Sequence, residues 1–305
     1  MKKIIIVILF FQLYVGASSQ KTLDVLTLSG RYGFPASYEE TYTGKAKETG
    51  SMVALTAGIP FNEKTTWVIS LNHFYFNVNG DPAIPDDVVN PIRLNGFIAR
   101  TGLYQKFGNG MGIQILFAPR YMTDFKGGGG NCFQAGGIFL FEKIFNESLT
   151  MSFGAQYNKE FFGSLLVPIV NVDWQISSKW KFTGMLPIYS KLGYKVNDNL
   201  DAGLAHFGLV TSYYLGDSDY EGDYIQRNSI DLTLYARQRI SGNIFFEMRG
   251  GMALGRSYDQ YAGDQKVSFA LPLVYFGDNR TVKNTGFNGG PILDLRLVYN
   301  IPIPE

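Results

Sequence analysis

From Leu293 to Asn300 the chain alternates almost strictly: Leu293, Leu295, Leu297 and Tyr299 fall on one face of an extended segment, and Asp294, Arg296 and Asn300 on the other. A strand has a side-chain period of two, so such a segment presents one apolar and one polar surface and must lie between two different solvents. The same pattern recurs. Leu149, Met151, Phe153, Ala155 and Tyr157 oppose Thr150, Ser152, Gly154, Gln156 and Asn158, while Met111, Ile113, Ile115 and Phe117 oppose Gly112, Gln114, Ala118 and Arg120. Ile230, Leu232, Leu234 and Ala236 oppose Asp231, Thr233, Arg237 and Arg239, and Ile244, Phe246, Met248, Met252 and Leu254 oppose Glu247, Arg249 and Gly251. A soluble sandwich also alternates, but its apolar faces must meet in a core.

The front of the chain selects between these solvents. Met1 to Ser19 reads as an export signal, with basic Lys2 and Lys3, an apolar run from Ile4 to Val15, and Ala17-Ser18-Ser19 before a cleavage point at Gln20. Past it, no apolar run approaches the ~20 residues of a spanning helix, so membrane insertion requires a closed barrel, the other architecture that satisfies every backbone group in lipid. The expected fold is an all-β, transmembrane, antiparallel up-and-down barrel over residues 20–305, monomeric and in the bacterial outer membrane.

Connections alternate in length. Pro35 to Lys47, Gly80 to Pro91, Thr123 to Asn131, Lys159 to Ser164, Pro187 to Lys191, Gly216 to Tyr224 and Arg256 to Gly290 are long or rich in turn residues. Between them lie tight ones at Pro60 to Lys64, Gly108 to Gly110, Phe145 to Ser148, Ser177 to Lys179, Asn197 to Asn199 and Ser241-Gly242. Short periplasmic turns and longer outer loops are the usual asymmetry of such barrels, which places both termini in the periplasm and predicts about 14 strands, with about 12 as the alternative. Leu192 to Val196 counts as a short strand, and Val267 to Phe276 as strand-like structure within an outer loop.

Aromatic residues sort the same way. Trp67, Trp174, Trp180 and Tyr299 lie next to short turns or the C-terminus and are expected to form a periplasmic interface girdle; Tyr32, Tyr121, Tyr157, Tyr189, Tyr213 and Tyr214 lie near long loops and are expected at the outer interface. At 17% charged residues with a net charge of +1, the composition makes no case for nucleic acid.

In a closed barrel, parity turns Arg120, Asp231, Arg237, Arg239, Glu247, Arg249, Asp294 and Arg296 into the lumen, because a charge facing lipid at the midplane costs about 2 to 4 kcal/mol. There they either set a field for small polar solutes or cross-pair and fill the interior, and their mixed signs favour pairing.

Enzyme motifs are sparse. His73 and His206 invite a hydrolase reading, but no Gly-x-Ser-x-Gly elbow accompanies them. Asp217 to Asp223 begins like a calcium loop yet has Asn228 where a bidentate Glu belongs, and reads as a solvated acidic loop. Gly127 to Gly130 and Phe107 to Gly112 lack the context of a phosphate-cradling loop. Cys132 is the only cysteine and reads as a packing residue. No cofactor or metal is called for.

The segment ending Met185-Leu186-Pro187, then Leu192-Gly193-Tyr194-Lys195-Val196, the turn Asn197-Asp198-Asn199 and the strand Leu200 to Tyr214 resemble single-domain outer-membrane β-barrel families of Gram-negative bacteria classified as domains of unknown function. The resemblance covers roughly Gln20 to the C-terminus. The last strand resembles the signal read by the barrel-insertion machinery, departing from it in ending Ile301-Pro302-Ile303-Pro304-Glu305. These expectations imply a passive pore or a structural, surface-exposed component with outer-membrane lipid, the insertion machinery and small polar solutes as partners. An outer-membrane hydrolase of lipid or peptide is the alternative.

Overall fold

The computed structural model describes residues 22–39, 42–127, 129–220 and 222–303; the expected export signal and its cleavage point lie outside these. The strands run β1 (Thr22–Ser37), β2 (Lys45–Pro60), β3 (Thr65–Asn79), β4 (Ile92–Lys106), β5 (Met111–Phe117), β6 (Arg120–Thr123), β7 (Phe133–Gln134), β8 (Gly136–Asn146), β9 (Leu149–Glu160) and β10 (Gly163–Gln175). They continue with β11 (Trp180–Leu186), β12 (Tyr189–Asn197), β13 (Leu200–Tyr214), β14 (Tyr224–Ser241), β15 (Ile244–Tyr261), β16 (Phe269–Leu271), β17 (Val274–Phe276) and β18 (Gly290–Pro302). Pro119 lacks an amide donor and separates β5 from β6 within one wall strand, and Ala135 separates β7 from β8 in the next. The hairpin β16–β17 belongs to a loop. The wall is therefore a closed, antiparallel barrel of 14 strands, sealed by β18 against β1 from Thr22↔Pro302 to Gly33↔Ile292.

Every neighbouring wall pair is antiparallel and consecutive, so backbone polar groups are satisfied without a free edge. The outward face is apolar: Leu234 is 68% exposed, Ile115 and Phe117 58%, Leu204 56% and Leu71 48%. A belt of this extent around the whole circumference is far larger than a water-soluble monomer leaves uncovered, and fits acyl chains. Trp67, Trp174, Trp180 and Tyr299 are outward and 37–44% exposed at the end that carries the short turns, the start of β1 and the end of β18. This is called the turn end below, and the opposite one the loop end.

The loop end is less uniform than expected. Residues 161–162 and 187–188 are two-residue connections, not long loops, because β9 runs straight into β10 and β11 into β12. The long excursions are residues 80–91 and 262–289. Strands β11 and β12 stop short, so β10 pairs with β11 only from Val170 to Gln175 and its upper edge would be bare. The loop after β15 covers it: Leu165 pairs with Ala270 of β16, and the Val267 amide donates to the Phe162 carbonyl at 2.8 Å.

Freed from β12, the upper part of β13 swings across the lumen. Tyr214 meets Thr123 of β6 in a parallel bridge, and the Asp124 amide donates to the Tyr214 carbonyl at 3.2 Å. In its upper half the barrel thus closes a second, smaller ring through β13, β14, β15, β18 and β1 to β6. Inside this ring lie Phe76, Leu94, Ile98, Met122, Tyr213, Ile225 and Tyr258, all at most 6% exposed. Between the ring and β8 to β10 lie Ile138, Leu140, Phe162, Leu165, Ile169, Tyr224 and Ala270. Both faces of the crossing strands are consequently buried, which is why Tyr224, Ile225, Gln226 and Arg227 in succession are at most 2% exposed.

Candidate functional site

Below the crossing strands, the inward faces of β18, β1, β14 and β15 carry the charges. Parity places them. Arg249 stands opposite Asp294, and Asp294 opposite Arg31; one row nearer the turn end, Arg237 stands opposite Glu247 and Glu247 opposite Arg296. Opposite charges thereby become cross-strand neighbours without any loop having to position them.

Two carboxylates organise the interior. Glu247 (side chain 1% exposed) accepts from Lys191 Nζ at 2.6 Å and from Arg249 Nε at 2.6 Å, with Arg237 Nη1 at 3.8 Å and Arg296 Nε at 4.0 Å. Arg237 also donates to Asp24, at 2.7 Å from Nη2, and Asn300 holds the same carboxylate. Higher up, Glu48 is fully buried and faces three guanidinium groups: Arg31 donates to it through Nε, Arg256 Nη1 lies 3.3 Å away and Arg227 Nη2 3.9 Å. Arg31 in turn donates two bonds to Asp231, from Nη1 at 2.5 Å and Nη2 at 3.2 Å, and stands 4.0 Å from Asp294. Arg227 is sandwiched between Phe76 and Tyr258, its Cζ 4.0 Å and 5.4 Å from the ring centroids, while Arg256 lies over Phe287.

Arg120 belongs to a third group. Its Nη1 donates to Glu160 at 2.7 Å, and the other oxygen of Glu160 accepts from the Ser212 amide and hydroxyl at 2.9 and 2.8 Å. This pair fastens β6 to β9 and to the crossing strand β13.

Of the eight expected lumen charges, Asp231, Arg237, Glu247, Arg249, Asp294 and Arg296 thus fall together on connected inner rows, and Arg120 sits apart in the filled upper half. Arg239 is different. It is exposed at the turn end, stacked on Phe245 with its Cζ 5.1 Å from the ring. Among the expected outer-interface tyrosines, Tyr213 is fully buried inside the small ring because β13 has left the wall. Tyr189 lies on the inward row with Lys191, two residues along the same strand.

Asp24, Arg31, Glu48, Glu160, Lys191, Arg227 and Arg256 escaped sequence reasoning. Two bulges hide part of the signal: the register slips between Asp24 and Leu26, and again opposite Gly255, whose φ of 55° shifts Arg256 and Tyr258 onto the inner face out of step with Glu247 and Arg249. Glu48 lies in a stretch, Lys45 to Gly50, with no apolar alternation to set its parity.

The enzyme candidates are not gathered. His73 and His206 stand opposite outward residues, Val53 and Phe97 for the first and Leu232 for the second. His73 stacks on Phe97 at 4.4 Å and contacts Asn95 Oδ1 through Nε2 at 3.3 Å. In the acidic loop, Asp217 pairs with Lys126, and Asp223 accepts from Lys283 at 2.7 Å and from Gln260 at 2.7 Å. Cys132 is buried at the end of a short 3-10 turn, Gly129–Cys132, with Sγ 3.6 Å from the Gly127 carbonyl. Among the described residues, no three His, Cys, Asp or Glu side chains are grouped to hold a metal ion.

Solved structures with a similar course include an outer membrane channel from Pseudomonas putida F1, at 10% identity and a TM-score of 0.45 over 95% of this chain and 100% of that one. The NanC porin is similar at 8% identity and a TM-score of 0.37, over 90% and 98% of the two chains. The translocator domain of the autotransporter NalP from Neisseria meningitidis follows at 10% identity and 0.35, over 90% and 87%. No curated protein matches the sequence. A family model does, over residues 16–272, and on that match the chain belongs to the family described as a domain of unknown function, DUF6268.

Proposed function

We propose that this chain is a bacterial outer-membrane barrel acting as a structural, surface-presenting component, with an interior that is a charge-paired plug and not an open diffusion path. The apolar belt and the aromatic girdle at the turn end support insertion in a bilayer with that end in the periplasm. Its partners are then outer-membrane lipid and the insertion machinery that folds it. No catalytic role is assigned to any side chain.

One observation carries the plugged reading: the upper parts of β13 to β15 cross the lumen and have both faces packed, leaving buried side chains, most of them apolar, where a pore would hold water. The ion pairs support it, since rows that would impose one sign of field in a channel here neutralise each other at 2.5 to 4.0 Å. A porin of the passive kind keeps its lumen polar throughout.

Single-channel recording in a planar bilayer tests this, on protein whose folding is confirmed by heat-modifiable migration on a gel. The expected result is a silent membrane at moderate voltage. Regular, reproducible conductance steps from the folded protein would replace the plug with a diffusion pore and turn the charged rows into its selectivity element.

A further inference from the structure

Where β6 leaves the wall to join the small ring, the outer surface does not close neatly. The regular ladder of β5 with β8 ends at Phe117↔Gly137, and above the interruptions at Pro119 and Ala135 only Arg120↔Gln134 and Tyr121↔Phe133 remain paired. The result is a crevice of about 450 Å³ at the loop end of the wall, open to the outside and floored by Phe117, Pro119, Phe133 and Phe161. That volume lies in the range of small-molecule sites. Phe117 and Phe133 are 58% and 64% exposed; Phe133 meets the Tyr121 ring edge-on at 4.9 Å, and both rings still leave an apolar face open to the crevice.

The rim is cationic. Lys159 and Lys266 line the crevice, both exposed, and neither ammonium has an ion-pair partner among the described residues. The one carboxylate in the lining, Glu160, is buried and already neutralised by Arg120 at 2.7 Å, so it does not oppose an incoming anion. An apolar floor continuous with the belt, and two free amines above it at the loop end, match a molecule with an anionic head and acyl tails.

We propose that this crevice holds a phosphorylated, acylated lipid of the outer leaflet, with an acyl chain against Phe117 and Phe133 and the phosphate between Lys159 and Lys266. The site rests on the outer-membrane orientation proposed above, but its test does not, because it uses folded protein in detergent. A failure to bind would leave that orientation standing.

The measurement is native mass spectrometry of the refolded full chain titrated with diphosphoryl lipid A, with the dephosphorylated lipid and inorganic phosphate as comparison probes. The expected result is one retained lipid per barrel, weakened roughly ten- to thirtyfold when Lys159→Gln and Lys266→Gln are combined, each surface lysine contributing a modest electrostatic increment. The pair Lys64→Gln and Lys179→Gln, in turn-end connections, should leave binding as it is. Heat-modifiable migration confirms that each variant is folded. Equal retention of the dephosphorylated lipid, or undiminished binding by the double Lys159/Lys266 variant, would reduce the adduct to ordinary annular lipid and overturn the assignment. Inorganic phosphate binding as tightly as the lipid would overturn it too, in favour of a free-anion site.

Discussion

Glu247 is surrounded by more positive charge than it can neutralise alone: Lys191 and Arg249 bond it directly and Arg237 and Arg296 lie within 4.0 Å. Removing its charge leaves those cations facing each other in a poorly hydrated interior, and breaking a buried pair from one side costs about 3 to 5 kcal/mol. Glu247→Gln should therefore lower the unfolding free energy, read from urea titration followed by tryptophan fluorescence, by an amount in that range, and unchanged stability would argue against the pairing. Arg239→Gln, at an exposed position that the alternation alone cannot tell from Arg237, should change stability by no more than about 0.5 kcal/mol. The contrast shows what residue-level reading reaches. Parity identifies which side of the wall a charge faces, as it does for Asp231, Arg249 and Asp294; it says nothing about depth, which separates Arg239 at the rim from Arg237 in the network.

At the scale of the strand, the small ring depends on how closely β13 approaches β6. A Cβ on Gly216 would come within 2.4 Å of the Gly127 carbonyl carbon, so the two backbones touch and leave room only for glycine. Asp124 holds the same crossing by accepting from the Gly216 amide at 3.0 Å and the Asp217 amide at 3.3 Å. Gly216→Val should force β13 away from β6 and expose the packed interior, seen as faster amide exchange at Tyr213 and Leu215 or as new conductance; neither change would mean that the crossing does not close the lumen. Nearby, the Lys126 ammonium bonds Asp217 and holds that carboxyl below its usual range, while the carboxylate raises the lysine. With the folded pKa of Asp217 depressed, its contribution is present above the unfolded value near ~3.9 and fades as pH falls through the folded one. Amide protection around Lys126, taken relative to the intrinsic exchange rate at each pH, should fall in acid only below about pH 4, and Asp217→Asn should abolish that dependence. None of this crossing was legible in the sequence. The alternation and the order of connections give a wall of about 14 strands, the short β12 among them, and set Val267 to Phe276 apart as strand-like structure in a loop, because each wall strand records its own two solvents. The upper half of β13 meets protein on both sides, so its pattern carries no direction, and Tyr213 reads like an interface tyrosine although it is fully buried.

For the molecule as a whole, the loop half packs apolar side chains around buried ion pairs of Glu48 and Glu160, and the turn half holds the Glu247 network, yet a continuous apolar belt surrounds both. That combination separates two contributions that most membrane barrels mix. Stability of the plug depends on the interior, and placement in lipid depends on the belt. Leu234 is 68% exposed on the outward face, opposite Leu204 on one side and Gly250 on the other, and touches neither charge network. Leu234→Arg should leave the interior pairs intact while adding up to about 2 to 4 kcal/mol against insertion, the depth-dependent cost of a cation facing acyl chains. Refolding yield into vesicles, read by heat-modifiable migration, should fall, whereas folding in a detergent micelle, whose headgroups an arginine side chain reaches easily, should be much less affected. If the substitution were harmless in both, the belt would not be facing lipid, and the barrel would have to bury this surface against a protein partner. Trp67, Trp174 and Trp180 supply the matching depth gauge. Lipids brominated near the headgroup should quench their fluorescence strongly and lipids brominated at the chain ends weakly, since all three project from the turn end of the belt.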